Sequence, residues 1–247
     1  MEKQIVMFSG GASSSYLAKL VKDEYGKENT ILLHTPTYAE SPDSDRFRAE
    51  VAEYLGMEIT IQELGKDLWT LIEDRKCLPS FHFPFCTEEL KIRQSRKFYK
   101  SLKKKGIEFV AHFGYGAMEW SRVQKQSARF EVEGIKSRYL IHERQISERT
   151  IKNSIRREWK ICLPETYRFL KHNNCIPCWK AGKGHFVVVA KYYPLQFKRA
   201  MLLEEKIGYT VFKDCTLRDI WKKVQEGKLQ ESMFGEDENI PCMCAID

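Results

Sequence analysis

The chain lacks any apolar run approaching the roughly 20 residues that a membrane-crossing helix needs, and its N-terminus reaches a first strand, Ile5 to Phe8, too soon for a secretory leader. Internal repeats and low-complexity tracts are also missing, which removes repeat architectures and leaves ordinary globular folding. The expectation is a cytoplasmic protein with no membrane partner. Cysteine, by contrast, is plentiful, with eight residues at positions 77, 86, 162, 175, 178, 215, 242 and 244. In an intracellular-looking chain such cysteines are expected to serve metal or redox chemistry rather than disulfides. The net charge of +7 permits a nucleotide or nucleic-acid partner without demanding one. At 247 residues the chain is long enough for one large α/β domain, or for a core plus a smaller appendage.

The most informative stretch runs from Gln4 to Ser15. The apolar residues Ile5, Val6, Met7 and Phe8 end in Ser9-Gly10-Gly11, and an amphipathic helix opens directly afterwards through Tyr16, Leu17, Leu20 and Val21. Glycines let the backbone approach a ligand closely, and the exposed amides and dipole of the helix start favour an anion. Hydroxyls on Ser9, Ser13 and Ser14 add donors. A Gly-Gly turn after a strand is common in α/β proteins, so local physics alone leaves phosphate binding at even odds. A Walker-type loop is a worse match than a PP-loop-like turn, because no Gly-Lys-Ser/Thr follows the glycines.

Along the chain, Thr30 to Thr37 reads as a second strand, Ser41-Pro42 starts a helix that Gly56 stops, and Glu58 to Leu64 reads as a third strand. Strands alternating with helices over short connections predict a mostly parallel, doubly wound sheet with ligands at the carboxyl ends of its strands. Pro79 to Phe85 is an aromatic loop expected to line the pocket, and Cys86 to Lys91 opens a strongly basic helix ended by Gly106. The distal Lys103 to Lys105 read as a solvated face. Glu108 to Tyr115 reads as a fourth strand. Beyond it, Arg122 suits a bidentate contact with phosphate or sulfate, and Glu119 suits orienting that arginine or holding magnesium. Residues 130–139 read as the irregular edge of the core. The expected division is therefore an α/β nucleotide-binding core over 1–130 and a mainly helical region over 131–247, with helices at Ser147 to Trp159, Pro164 to Leu170, Pro194 to Ile207 and Thr216 to Gln225.

Ser9 to Ser14 (SGGASS) resembles the SGGxxS PP-loop of the ATP pyrophosphatase and phosphoadenosine-phosphosulfate (PAPS) reductase superfamily. Cys86-Thr-Glu-Glu-Leu-Lys91 resembles that superfamily's Cys-Thr-x-x-Leu-Lys signature, and Gly114 to Arg122 its Gly-x-x-x-x-Glu-Ser-x-Arg segment, with Trp120 inserted between Glu119 and Ser121. The resemblance implies a HUP-like fold of the adenine nucleotide alpha hydrolase type. It also implies an adenine nucleotide partner, ATP or PAPS/APS, with magnesium (Mg2+). Phosphates would sit on Ser9, Gly10, Gly11, Ser13 and Ser14, the nucleotide on Thr35, and Lys91, Glu119, Arg122 and Cys86 would be catalytic. Three departures stand out. Ala12-Ser13 replaces the usual Lys-Asp, His34-Thr35 replaces Asp-Thr, and the Glu-Cys-Gly-x-His tail of true PAPS reductases is absent.

Cys175 and Cys178, two residues apart around Pro177, can share one metal or form a redox pair. One reading joins them to Cys242 and Cys244 as four thiolates on zinc (Zn2+). The other, which rests on resemblance to APS-type sulfate reductases and to the sulfur-inserting enzyme of DNA phosphorothioation, joins them to Cys86 around an iron–sulfur cluster. Cys77 and Cys215 read as ordinary half-buried thiols. The resulting expectation is an enzyme that adenylates a substrate oxygen, releases pyrophosphate and passes sulfur to an acceptor, with nucleic acid or a sulfur-donor protein as further partners and a homodimer left open. The alternatives are APS/PAPS reductase-type chemistry and a nucleotide-binding protein that has lost catalysis.

Overall fold

A computed structural model describes residues 2–229. Five strands, β1 (Lys3–Met7), β2 (Thr30–His34), β3 (Ile59–Ile61), β4 (Phe109–His112) and β5 (Lys136–Arg138), form one sheet in the order β3-β2-β1-β4-β5. Every pairing is parallel. The helices are α1 (Ala12–Tyr25), α2 (Pro42–Leu55), α3 (Leu68–Arg75), α4 (Phe85–Thr87), α5 (Arg93–Lys104), α6 (Trp120–Val132), α7 (Leu140–Glu143), α8 (Glu148–Asn153), α9 (Lys183–Tyr192), α10 (Pro194–Ile207) and α11 (Leu217–Gln225). Among the described residues, no helix is long and apolar enough to cross a membrane.

The alternation of strand side chains explains the layers. Val6, Phe8 and Leu32 pack against Leu17 and Val21 of α1, Phe47 and Val51 of α2 and Ile151 of α8. Their neighbours Ile5, Leu33 and Ala111 face the other way, onto Tyr99 and Leu102 of α5 and Phe130 of α6. Helices thus cover both faces, as a parallel sheet requires. A third cluster joins α3 to α9, α10 and α11.

Local chemistry sets several boundaries. The Ser41 hydroxyl accepts from the Asp43 amide at 3.3 Å, Pro42 opens α2, and Gly56 closes it in the left-handed region. Thr216 and Asp219 cap α11 reciprocally. Residues 85–104 run on through a π turn at Glu88–Ile92, where the Arg93 amide reaches back to the Glu88 carbonyl.

Three expectations need correction. Residues 130–139 are not an irregular boundary, because they finish α6 and supply β5, so the sheet extends past residue 130. Pro164 to Leu170 forms only a 3-10 turn, Glu165–Arg168, in which the Glu165 amide donates to Asp43 and the Thr166 hydroxyl to Asn173. Phe81 and Phe83 face solvent while Phe85 packs in the core, so the aromatic loop does not line the central cavity.

His34, His112 and His185 are buried, and burial pushes each down to about 4 from 6.5. The unfolded chain therefore binds more protons than the folded one between these values. Stability is expected to fall as pH drops from 6.5 toward 4, by up to about 1.4 kcal/mol per pH unit for each ring. Urea unfolding over this range checks it, and a flat profile would show that the three rings titrate normally.

Candidate functional site

The order of the sheet places a reversal of winding at β1 and β4, where the loops leaving two adjacent parallel strands diverge and open a crevice. A cavity of about 890 Å³ lies there. Ser9, Gly11, Ser13 and Ser14 line it from the β1 loop, Thr35 from β2, Lys91 from the π turn, and Glu119 and Arg122 from the segment after β4. Eight residues expected from four separated stretches thus share one space. The close approach of those stretches is visible at Gly114, where an added Cβ would stand 3.1 Å from the backbone of Ser13 and Ser14.

Within the glycine loop, Ser9 Oγ donates to Ser14 Oγ at 3.2 Å, and Ser14 Oγ to the Gly11 carbonyl at 2.9 Å. The first three amides of α1 have no partner inside the helix, and Ser13 and Ser14 line the crevice. Of these, the Ala12 amide donates to the Tyr167 hydroxyl at 3.0 Å. Gly10 does not line the cavity. It backs onto Arg48, whose Cγ lies 2.7 Å from where a Cβ would be, and it adopts φ +84°. Arg48 is 6% exposed, donates to the Ser9 carbonyl at 3.3 Å and pairs with Asp45.

On the opposite wall, Glu119 accepts from the Gly116 amide at 2.6 Å and pairs with Arg122. The Arg122 guanidinium lies 4.4 Å over the Tyr115 ring. Glu119 therefore fixes the loop and aims the arginine. The π turn adds one residue to its helical circuit, so Leu90 and Ile92 stay buried while Lys91 reaches the cavity. Beneath it lies Glu40, bonded to the Thr37 amide at 3.3 Å. Burial would raise its carboxyl, but Lys91 and the Thr37 contact outweigh this and hold it below its ordinary range. His34 Nδ1 is 2.9 Å from the Phe8 carbonyl, which makes this nitrogen the donor, while burial holds the ring neutral.

The cysteines stand apart from the cavity lining. Cys175 Sγ lies 3.2 Å from Thr37 Oγ1, and burial, reinforced by Glu40, pushes its thiol up to about 12. Burial also raises Cys86, against the opposing pull of Lys180. Lys180 is 7% exposed and donates to Thr87 Oγ1 at 2.8 Å. Cys178 is buried as well, and its amide donates to His185 Nε2 at 2.8 Å. Among the described residues, no three His, Cys, Asp or Glu side chains are arranged to hold one metal ion. Cys242 and Cys244 lie outside the described residues.

Sequence reasoning missed Arg48, Glu40, Tyr167 and the cavity-lining run Lys171, His172, Asn173 and Asn174. Only the last run carried a signal, its position directly before Cys175. Asn173 Nδ2 donates to the Gly10 carbonyl at 2.9 Å, and its Oδ1 accepts from Ser44 at 3.0 Å and from Thr166 at 2.8 Å. Comparison with known protein families and with characterised proteins gives no match.

Two outcomes follow from this geometry. Gly10→Ala is expected to cost at least about 1–2 kcal/mol through its left-handed backbone, whereas Gly11→Ala, with φ −88° and its nearest neighbour at 3.5 Å, is expected to fold normally. Equal urea midpoints for the two variants would contradict this. In alkylation at neutral pH, exposed Cys162 is expected to react first, and Cys175 and Cys178 only on unfolding. Mass mapping of labelled peptides reads the order directly.

Proposed function

We propose that the chain is a PAPS reductase-like PP-loop enzyme with the HUP-type variant of the α/β fold, binding ATP or a sulfonucleotide at the crevice between β1 and β4. The observation that carries this reading is the convergence of Ser9, Gly11, Ser13, Ser14, Thr35, Lys91, Glu119 and Arg122 on one cavity. In the proposed reaction a substrate oxygen attacks the α-phosphorus of ATP, the bond to the β-phosphate breaks, and pyrophosphate leaves with the electron pair. The adenylated oxygen then departs as AMP when a sulfur nucleophile displaces it.

The chain's own residues bind and orient. Hydroxyls and first-turn amides of the loop hold the leaving pyrophosphate. Lys91 and Arg122 hold anionic oxygens from two other sides, and Glu119 keeps Arg122 on station. Magnesium, where bound, would offset phosphate charge, and Glu119 is a carboxylate of this cavity that could hold it. The thiols of Cys86, Cys175 and Cys178 do not present a metal site as they stand, and no step is assigned to a cluster or to zinc.

A second reading, a nucleotide-binding protein without turnover, draws support from a loop that carries Ala12 and Ser13 and no basic side chain. Pyrophosphate release from ATP and magnesium in the presence of a sulfur acceptor separates the two. Lys91→Ala and Arg122→Ala are each expected to weaken ATP binding by about 1.5–3 kcal/mol, as for loss of a charged hydrogen bond. Calorimetric titration measures this, and unchanged affinity in both variants would remove the site.

A further inference from the structure

The glycine loop carries no cationic side chain, yet its Ala12 amide is already engaged by a residue from far along the chain. We propose that Tyr167 is a phosphate ligand of this cavity, presenting its hydroxyl proton to the phosphoryl oxygens beside Gly11. The proposal rests on the reading of the cavity as a nucleotide site and names a donor which that reading does not contain.

The geometry supports it in four steps. The Tyr167 oxygen accepts from the Ala12 amide at 3.0 Å, so its own proton must point away from α1. Tyr167 lines the cavity, and among the described residues no acceptor takes that proton. An amide that donates to a hydroxyl polarises it and strengthens its onward donation, so the hydroxyl extends the helix start rather than silencing it. The Lys152 ammonium lies 4.6 Å over the same ring, and burial pushes the phenol up to about 12, so the proton is retained at neutral pH.

The wall is also fixed in place. Tyr167 packs on the cluster formed by β1, α1 and α2, and Asn173 ties the following segment to the Gly10 carbonyl, to Ser44 and back to Thr166. Glu148 and Glu119 also line the cavity, but each is paired, with Lys152 at 2.6 Å and with Arg122 respectively. The anion therefore meets a donor and not a bare carboxylate on this side.

The opposite view makes Tyr167 a plug that competes with phosphate for the Ala12 amide. Tyr167→Phe distinguishes the two, because it keeps the ring, its packing and the Lys152 contact and removes only the hydroxyl. Inorganic pyrophosphate, ATP and adenosine are titrated calorimetrically into the parent and the variant, with thermal unfolding as a control. The expected result is a loss of about 10- to 100-fold in affinity for pyrophosphate and ATP, as for a hydrogen bond to a charged group, with adenosine affinity and melting temperature unchanged. Equal pyrophosphate affinity overturns the proposal, and tighter binding by the variant establishes the plug instead. An equal loss for adenosine also overturns it, since that would show a general loosening of the pocket. A parent that binds neither ATP nor pyrophosphate sinks the nucleotide reading itself, and the role of Tyr167 with it.

Discussion

Arg48 is buried under the Gly10 turn, and the arrangement above it depends on that guanidinium. A buried cation is costly unless neutralised and hydrogen-bonded, and here Asp45 and the Ser9 carbonyl serve both needs. The side chain fills the space where a Cβ at position 10 would project. With that space filled, the chain turns sharply after β1 and delivers Gly11 to Ser14 to the crevice. The loop's shape is thus set from below by a charge and from the side by Asn173, and its serines are left for the cavity.

Those elements whose cause is local were legible in the sequence. The first strand, expected over Ile5 to Phe8 and found at Lys3–Met7, the stop at Gly56 and the Thr216 cap all follow from neighbours a few residues apart. The parallel sheet with helices on both faces was legible for the same reason, since alternation and short connections encode it. β5 was not, because Lys136-Ser-Arg138 is polar and becomes a strand only by pairing with Val110 to His112 at the sheet's edge. The short turn at Glu165–Arg168 was misread as a helix because the Glu165 amide is held by Asp43, a partner that no local window contains.

The candidate site divides along the same line. Its polar groups on short motifs, Ser9 to Ser14, Lys91, Glu119 and Arg122, could be named beforehand from the chemistry of each motif and the resemblance that the motifs carry. Gly10 and Arg48 show the limit. A glycine in a phosphate-type loop reads as room for a ligand, whereas this one makes room for an arginine from α2. The π turn is a related case. Lys91 was expected at the site, but the turn that carries it, with one extra residue at Glu88–Ile92, was not.

The contacts that complete the cavity span most of the chain. Ala12 meets Tyr167 across 155 positions, and Gly10 meets Asn173 across 163. During synthesis, β1 to β4 can pair as soon as residue 112 has emerged, but the loop stays clamped on one side only until the segment beyond residue 164 arrives. Contacts between such distant positions form late, because the intervening chain must first be ordered. A nascent chain therefore acquires its sheet well before it acquires a finished pocket, and completion of the cavity is a last step of folding rather than an early one.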